Sequence, residues 1–295
     1  MNDTNSFGTI CRYLPFDIRT ALRKADTRLI PDLTEIRIYC GKGVGLFVRD
    51  RVRFLVGNGM TYEKISAVTM KPTPDHMKQI ISAISKYSFH SHEAELTDGW
   101  FVLENGVRVG VCGTFTNSGR GIVRDVSSVN FRIAHEVKGC ADKIAGRLFG
   151  KNILICGAVN SGKTTLLRDL CREFGNKVTC TLVDQRNEIS ASRNGMPTFD
   201  VGVLTDVMIG RERKDCIIGA VRTMSPNYIF CDEIASKGDI EAIEAGMGCG
   251  TKFAATVHAD SYNDLLKRKY LTEIINYFDY AVFLSGTSIN EVKKL

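Results

Sequence analysis

Eight consecutive residues, Gly157-Ala158-Val159-Asn160-Ser161-Gly162-Lys163-Thr164, have the types and spacing needed to hold a polyphosphate. They fit the phosphate-loop pattern of Gly, four residues, then Gly-Lys-Ser/Thr. Glycines let the main chain approach an anion without Cβ obstruction, and successive N–H groups converge on it. A helix starting there adds the positive end of its dipole. In such a loop Lys163 reaches the outer phosphate oxygens and the Thr164 hydroxyl holds Mg²⁺, with Thr165 next to it at the head of the helix. A second pair, Asp232-Glu233, follows the apolar run Tyr228-Ile229-Phe230-Cys231. Asp232 is the candidate Mg²⁺ partner, and Glu233 is placed to orient or deprotonate an attacking water. His258, after Lys252–Val257, is a candidate hydrogen-bond partner of a terminal phosphate; a lone histidine is more often a satisfied polar residue.

The surrounding sequence supplies elements able to position these groups. Ile153-Leu154-Ile155-Cys156 is an apolar run of strand length. Leu166, Leu167 and Leu170 share a helical face just after the loop. Val178–Val183 is a β-branched run ending in the charged cluster Asp184-Gln185-Arg186-Asn187-Glu188. Helices are expected at about 215–223 and 239–246, strands at 228–231, 252–257 and 281–284, and an irregular stretch from 193 to 205. Strands alternating with helices predict an α/β fold with a parallel sheet, whose ligand contacts lie at the carboxyl ends of the strands.

Upstream, the pattern changes. A short helix behind Pro15, a hairpin at 45–48 and 52–56, a helix from Pro74 to about Tyr87 and a second hairpin around Glu104-Asn105-Gly106 predict a smaller α+β domain. The expected division is residues 1–140 and 141–295. Of the net charge of +6, all lies upstream: residues 1–150 carry 21 Lys and Arg against 15 Asp and Glu, and residues 151–295 carry 18 of each. Such a basic surface suits nucleic acid, anionic lipid or an acidic protein, or is simply solvated. His90-Ser91-His92 lacks the further ligands that a metal site needs. Ten cysteines include no Cys-x-x-Cys spacing, and several interrupt apolar runs, so they read as structural thiols of a reducing compartment. No stretch reaches the ~18 apolar residues of a spanning helix and no signal peptide is legible, which places the chain in the cytoplasm.

The second half resembles the RecA-like domain of type II and type IV secretion and pilus ATPases. The resemblance is carried by the phosphate loop, the acidic and arginine segment 184–188, the Asp232-Glu233 strand end and Thr256-Val257-His258. Nearer still is the sporulation stage III AA family. It is carried by Glu104-Asn105-Gly106-Val107-Arg108-Val109-Gly110-Val111-Cys112-Gly113, Ser127–Ala134, Val183–Ile189 and Val221–Ile234, over roughly residues 30–290. Gln185 and Ala259 depart from the expected pattern, which has an acidic residue and a glycine there.

The resemblance implies a RecA-like P-loop ATPase using ATP and Mg²⁺ in the mother cell of a spore former. It implies a hexameric ring, docked peripherally on membrane-embedded sporulation channel proteins. The basic N-terminal domain would serve oligomerisation or docking. Catalytic candidates are Glu233, Glu188, Arg186, Arg222 and His258; Arg186, Arg193 and Arg222 are the arginines able to complete a neighbouring subunit's site, and the sequence does not rank them between cis and trans. Nucleotide would be bound by Gly157, Ala158, Val159, Asn160, Ser161, Gly162, Lys163, Thr164 and Thr165, and metal by Thr164 and Asp232. Two alternatives stand beside the motor. One is a DNA-dependent ATPase, although no aromatic-plus-basic platform for single strands is legible and nucleic acid is not the expected partner. The other is a nucleotide-binding switch with little turnover.

Overall fold

The computed structural model describes residues 3–49, 51–86, 100–115, 123–133, 136–192, 195–234, 236–267, 272 and 274–295. His90, His92 and Arg193 lie outside them. The chain divides into two compact units, Met1–Glu136 and Val137–Leu295.

The first unit contains helices α1 (Asp3–Tyr13), α2 (Phe16–Arg23) and α3 (Pro74–Lys86). Its strands are β1 (Leu33–Tyr39), β2 (Gly43–Val48), β3 (Arg51–Leu55), β4 (Thr61–Tyr62), β5 (Trp100–Val102), β6 (Arg108–Phe115) and β7 (Val123–Arg132). They pair antiparallel in the order β4-β3-β2-β1-β7-β6-β5. Alternation puts Ile36, Ile38, Val44, Leu46, Val109, Val129 and Phe131 on one face. There they bury against Ile10, Ile18, Leu22, Ile80 and Ile84 of the helices. The β5–β6 connection turns through Asn105 at φ 56° and Gly106 at φ 67°, the left-handed conformation that Asn and Gly adopt at least cost.

The second unit contains α4 (Asp142–Leu148), β8 (Ile153–Cys156), α5 (Lys163–Gly175), β9 (Cys180–Val183), β10 (Thr205–Met208), α6 (Arg213–Thr223) and β11 (Tyr228–Cys231). It continues with α7 (Lys237–Gly248), β12 (Lys252–Val257), α8 (Tyr262–Lys267), β13 (Tyr280–Ser285) and β14 (Ser288–Lys294). The sheet order is β10-β9-β11-β12-β8-β13-β14, parallel throughout except for the β13–β14 hairpin. Strands β8, β9 and β11 are buried at every residue, as expected where both sheet faces are covered. On one face Ile153, Ile155, Tyr228 and Phe230 meet Leu166, Leu170 and Phe174 of α5. On the other, Leu154, Ile229, Cys231 and Phe253 meet Ile217 of α6 and Ile243 of α7. The helix behind the phosphate loop continues to Gly175, and the expected irregular stretch ends in the edge strand β10. All ten cysteines are free, and burial pushes the Cys156, Cys180 and Cys231 thiols up to about 12. No helix of the described residues is long and apolar enough to cross a membrane.

Candidate nucleotide site

The phosphate loop is the connection from β8 to α5. Gly162 sits at the N-cap of α5 with φ 82°, a conformation that side-chain-bearing residues rarely adopt. At Gly157 a Cβ would come within 2.4 Å of Ser161 Oγ, so the loop closes this tightly only on glycine. Lys163 is 7% exposed and folds back into the loop. Its Nζ donates to Gly157 O at 2.9 Å and Ala158 O at 2.5 Å. Burial pushes the Lys163 ammonium below its ordinary value, against the pull of the Asp232, Glu233 and Asp260 carboxylates.

Strand order explains how the acids reach this loop. β12 lies between β8 and β11, so the carboxyl ends of three adjacent strands present the loop, Thr256 to His258, and Asp232-Glu233 side by side. Thr164 Oγ1 donates to Asp232 Oδ2 at 2.8 Å. The Thr256 hydroxyl, fully buried, donates to Asp232 Oδ1 and accepts from the Glu233 N–H at 2.8 Å. Glu233 takes φ 47°, a backbone cost of ~1–3 kcal/mol of the kind found at functional sites.

A line of polar contacts runs from the lysine outward. Lys163 Nζ lies 3.3 Å from His258 Nδ1, and His258 Nε2 lies 3.3 Å from Glu233 Oε1. An ammonium only donates, so Nδ1 accepts, and the neutral ring carries its proton on Nε2, facing Glu233. Arg186 Nη1 stands 3.6 Å from Glu233 Oε2, an ion-pair distance on an exposed side chain.

The segment 184–188 is organised from beneath. Asp184, 2% exposed, accepts from the N–H groups of Glu188, Ile189 and Ser190 and from the Ser190 hydroxyl. Asp184 therefore folds the loop, leaving Arg186 and Glu188 to line a crevice of about 30 Å³ with Asp232, Glu233 and Arg213. Arg213 carries no sequence signal of its own. It is fixed at the head of α6 by Asp239 Oδ2 at 3.0 Å. Arg222 does not join this group: it is exposed at the other end of α6, near the amino ends of the strands.

On the other side of the loop a groove of about 620 Å³ is lined by Cys140, Lys143, Thr165, Leu166, Leu284 and Ile289. Its size and mixed apolar and polar walls suit a nucleoside. The residues fit a magnesium nucleotide on two observations. Ser161 Oγ is a buried hydroxyl inside the cradle without a partner among the described residues. Thr164 and Asp232 offer one hydroxyl and one carboxylate at a single point. Few protein ligands, with water and phosphate completing the shell, is how Mg²⁺ is usually held.

A mainly parallel sheet with a phosphate loop after β8 and an acid pair two strands away, after β11, defines a RecA-like P-loop ATPase fold. Among solved structures the chain is similar to the Legionella pneumophila ATPase DotB, with a TM-score of 0.57 and 16% identity, covering 85% of this chain and 72% of that one. It is similar to the pilus retraction motor PilT, solved with bound ADP, with a TM-score of 0.57 and 15% identity, covering 87% and 75%. The model of the family described as Sporulation stage III, protein AA matches residues 6–289. Stage III sporulation protein AA of Bacillus subtilis (strain 168) is 30% identical over 276 residues, 90% of this chain and 86% of that one. The chain belongs to the sporulation stage III protein AA family.

Proposed function

We propose that the protein is a Mg²⁺-dependent ATPase that works as a ring, docked peripherally on a membrane complex used during sporulation. The observation that carries the hydrolytic part is the continuous contact from Lys163 through His258 to Glu233, beside the Thr164–Asp232 bond. Family membership and a fold shared with the ATPase DotB and the pilus retraction motor PilT support the motor part.

The chemistry follows from the residues. The α5 amides and Lys163 bind the β- and γ-phosphates, and Lys163 exchanges its loop carbonyls for phosphate oxygens. Thr164 and Asp232 would hold Mg²⁺, which would supply neutralisation of phosphate charge when bound. Glu233 accepts the proton of the water that attacks the γ-phosphorus, as ADP leaves from the opposite side. His258, bonded to both Lys163 and Glu233, ties the state of the phosphate to the orientation of that base. Glu188 and Arg186 complete the polar wall of the crevice. Arg222, remote from its own chain's loop, acts in this scheme on a neighbouring subunit's triphosphate.

ATP turnover measured against protein concentration, with Mg²⁺ and with EDTA, tests the proposal. Turnover per chain that rises with concentration and vanishes in EDTA supports a ring ATPase. A chain that stays monomeric by size with a slowly hydrolysed ATP analogue refutes the ring. Steep stimulation by single-stranded DNA, suppressed by salt, favours the DNA-dependent alternative. Binding without turnover favours the switch.

A further inference from the structure

One helical turn behind Thr164, on the inner side of α5, Arg168 is 5% exposed, a burial that arginine reaches only when its charge and donors are engaged. Its Nε donates to Ile189 O at 2.5 Å and its Nη2 to Glu188 O at 2.9 Å. The guanidinium lies 4.4 Å from the centroid of the Phe199 ring, and its charge acts on the buried Asp184 carboxylate. One peptide segment is therefore gripped by two opposite charges. Asp184 takes the N–H groups of residues 188–190, and Arg168 takes the carbonyls of 188 and 189. A planar fork of donors serves two successive carbonyls; an ammonium does not reproduce it.

We propose that Arg168 is a positioning residue that fixes the main chain of Glu188 to the phosphate-loop helix. The helix whose head carries Lys163 and Thr164 thereby sets how far the Glu188 carboxylate stands from a bound triphosphate. This rests on the proposed part of Glu188 in ATP hydrolysis. The energetic logic is geometric: a displacement of ~1 Å in a reacting constellation costs on the order of 10²-fold in rate.

The test compares Arg168→Lys, Glu188→Gln and the double variant in the full chain. Amide exchange in Arg168→Lys is expected to quicken at least ~10-fold at residues 188–190 while residues 163–167 keep their protection. Mg-ADP affinity is expected to stay within ~3-fold and turnover to fall ~10–100-fold, with the double variant no slower than Glu188→Gln alone. Unchanged exchange at 188–190, or a double variant slower than Glu188→Gln by the full factor of the single Arg168 change, overturns the proposal. Phe199→Leu removes the ring beneath the guanidinium and spares every donor. It gives the same exchange pattern in weaker form if Arg168→Lys does not fold, and an unchanged pattern there is equally fatal. Should Glu188→Gln leave turnover intact, the hydrolytic role of Glu188 falls, and exchange at 188–190 decides the anchoring by itself.

Discussion

Asp232 and Thr256 are joined side chain to side chain across the neighbouring parallel strands β11 and β12. The threonine also receives the Glu233 N–H, so one buried hydroxyl orients both members of the acid pair. Thr256→Val keeps the shape and removes the hydroxyl. It leaves the part-buried Glu233 N–H unpaired at a cost of about 1–3 kcal/mol, so thermal denaturation should show a lower melting temperature. Turnover should fall more than nucleotide affinity, since Asp232 keeps its bond from Thr164 while Glu233 loses its anchor.

Lys163→Ala removes the cation of the phosphate loop. For the unsubstituted protein, Mg-ATP at ~100 times Kd adds about 2.7 kcal/mol of stability, visible as a rise in melting temperature. The variant should show no such rise at the same nucleotide concentration. A shift that survives the substitution refutes the assignment of the loop.

Glu233→Gln retains an oxygen able to accept the His258 Nε2–H, so the geometry of the site is preserved while the base is lost. Turnover is expected to drop ~10²–10⁴-fold with ATP binding retained. Equilibrium binding of a fluorescent nucleotide beside steady-state phosphate release checks both halves.

Asp169, on α5, supplies a pH-dependent contribution to the second unit. Burial alone would lift its carboxyl. The Ala141 N–H at 2.8 Å and the Arg172 Nε at 2.7 Å more than offset this and hold it below its usual value. A carboxyl lowered in the folded state stabilises above about pH 3.8, and the contribution fades as pH falls through that value towards the folded one. Asp169→Asn should cost about 1.5–3 kcal/mol near neutrality, and the gap to the unsubstituted protein should close in denaturant titrations below about pH 3.8.

How far the sequence foretells these arrangements depends on what each residue must do locally. The phosphate loop and the buried strands β8, β11 and β12 are legible because a fixed motif and uninterrupted apolar runs permit few alternatives. Strands β10 and β14 are not. Thr205–Met208 is a short, half-exposed edge, and Ser288–Lys294 is polar enough to read as a tail; only pairing with β9 and β13 makes them strands. Helix α1 has a weakly apolar sequence and gains its place by packing Ile10 and Cys11 into the core of the first unit. In the site, Asp232, Glu233 and His258 stand out as polar residues ending apolar runs. Thr256 and Arg213 give no such signal, since one hides inside a strand and the other looks like any helix-head charge. Asp184 looks like a ligand contact from its position, yet its carboxylate is consumed by three main-chain amides that no spacing rule foretells.

The placement of β12 between β8 and β11 also governs synthesis. A ribosome that has released residues up to Glu233 has delivered the loop and both acids, but not the strand that must slide between them. A chain truncated before His258 lacks the strand that joins the loop to the acids, so Mg-ATP should stabilise it less than it stabilises the full chain.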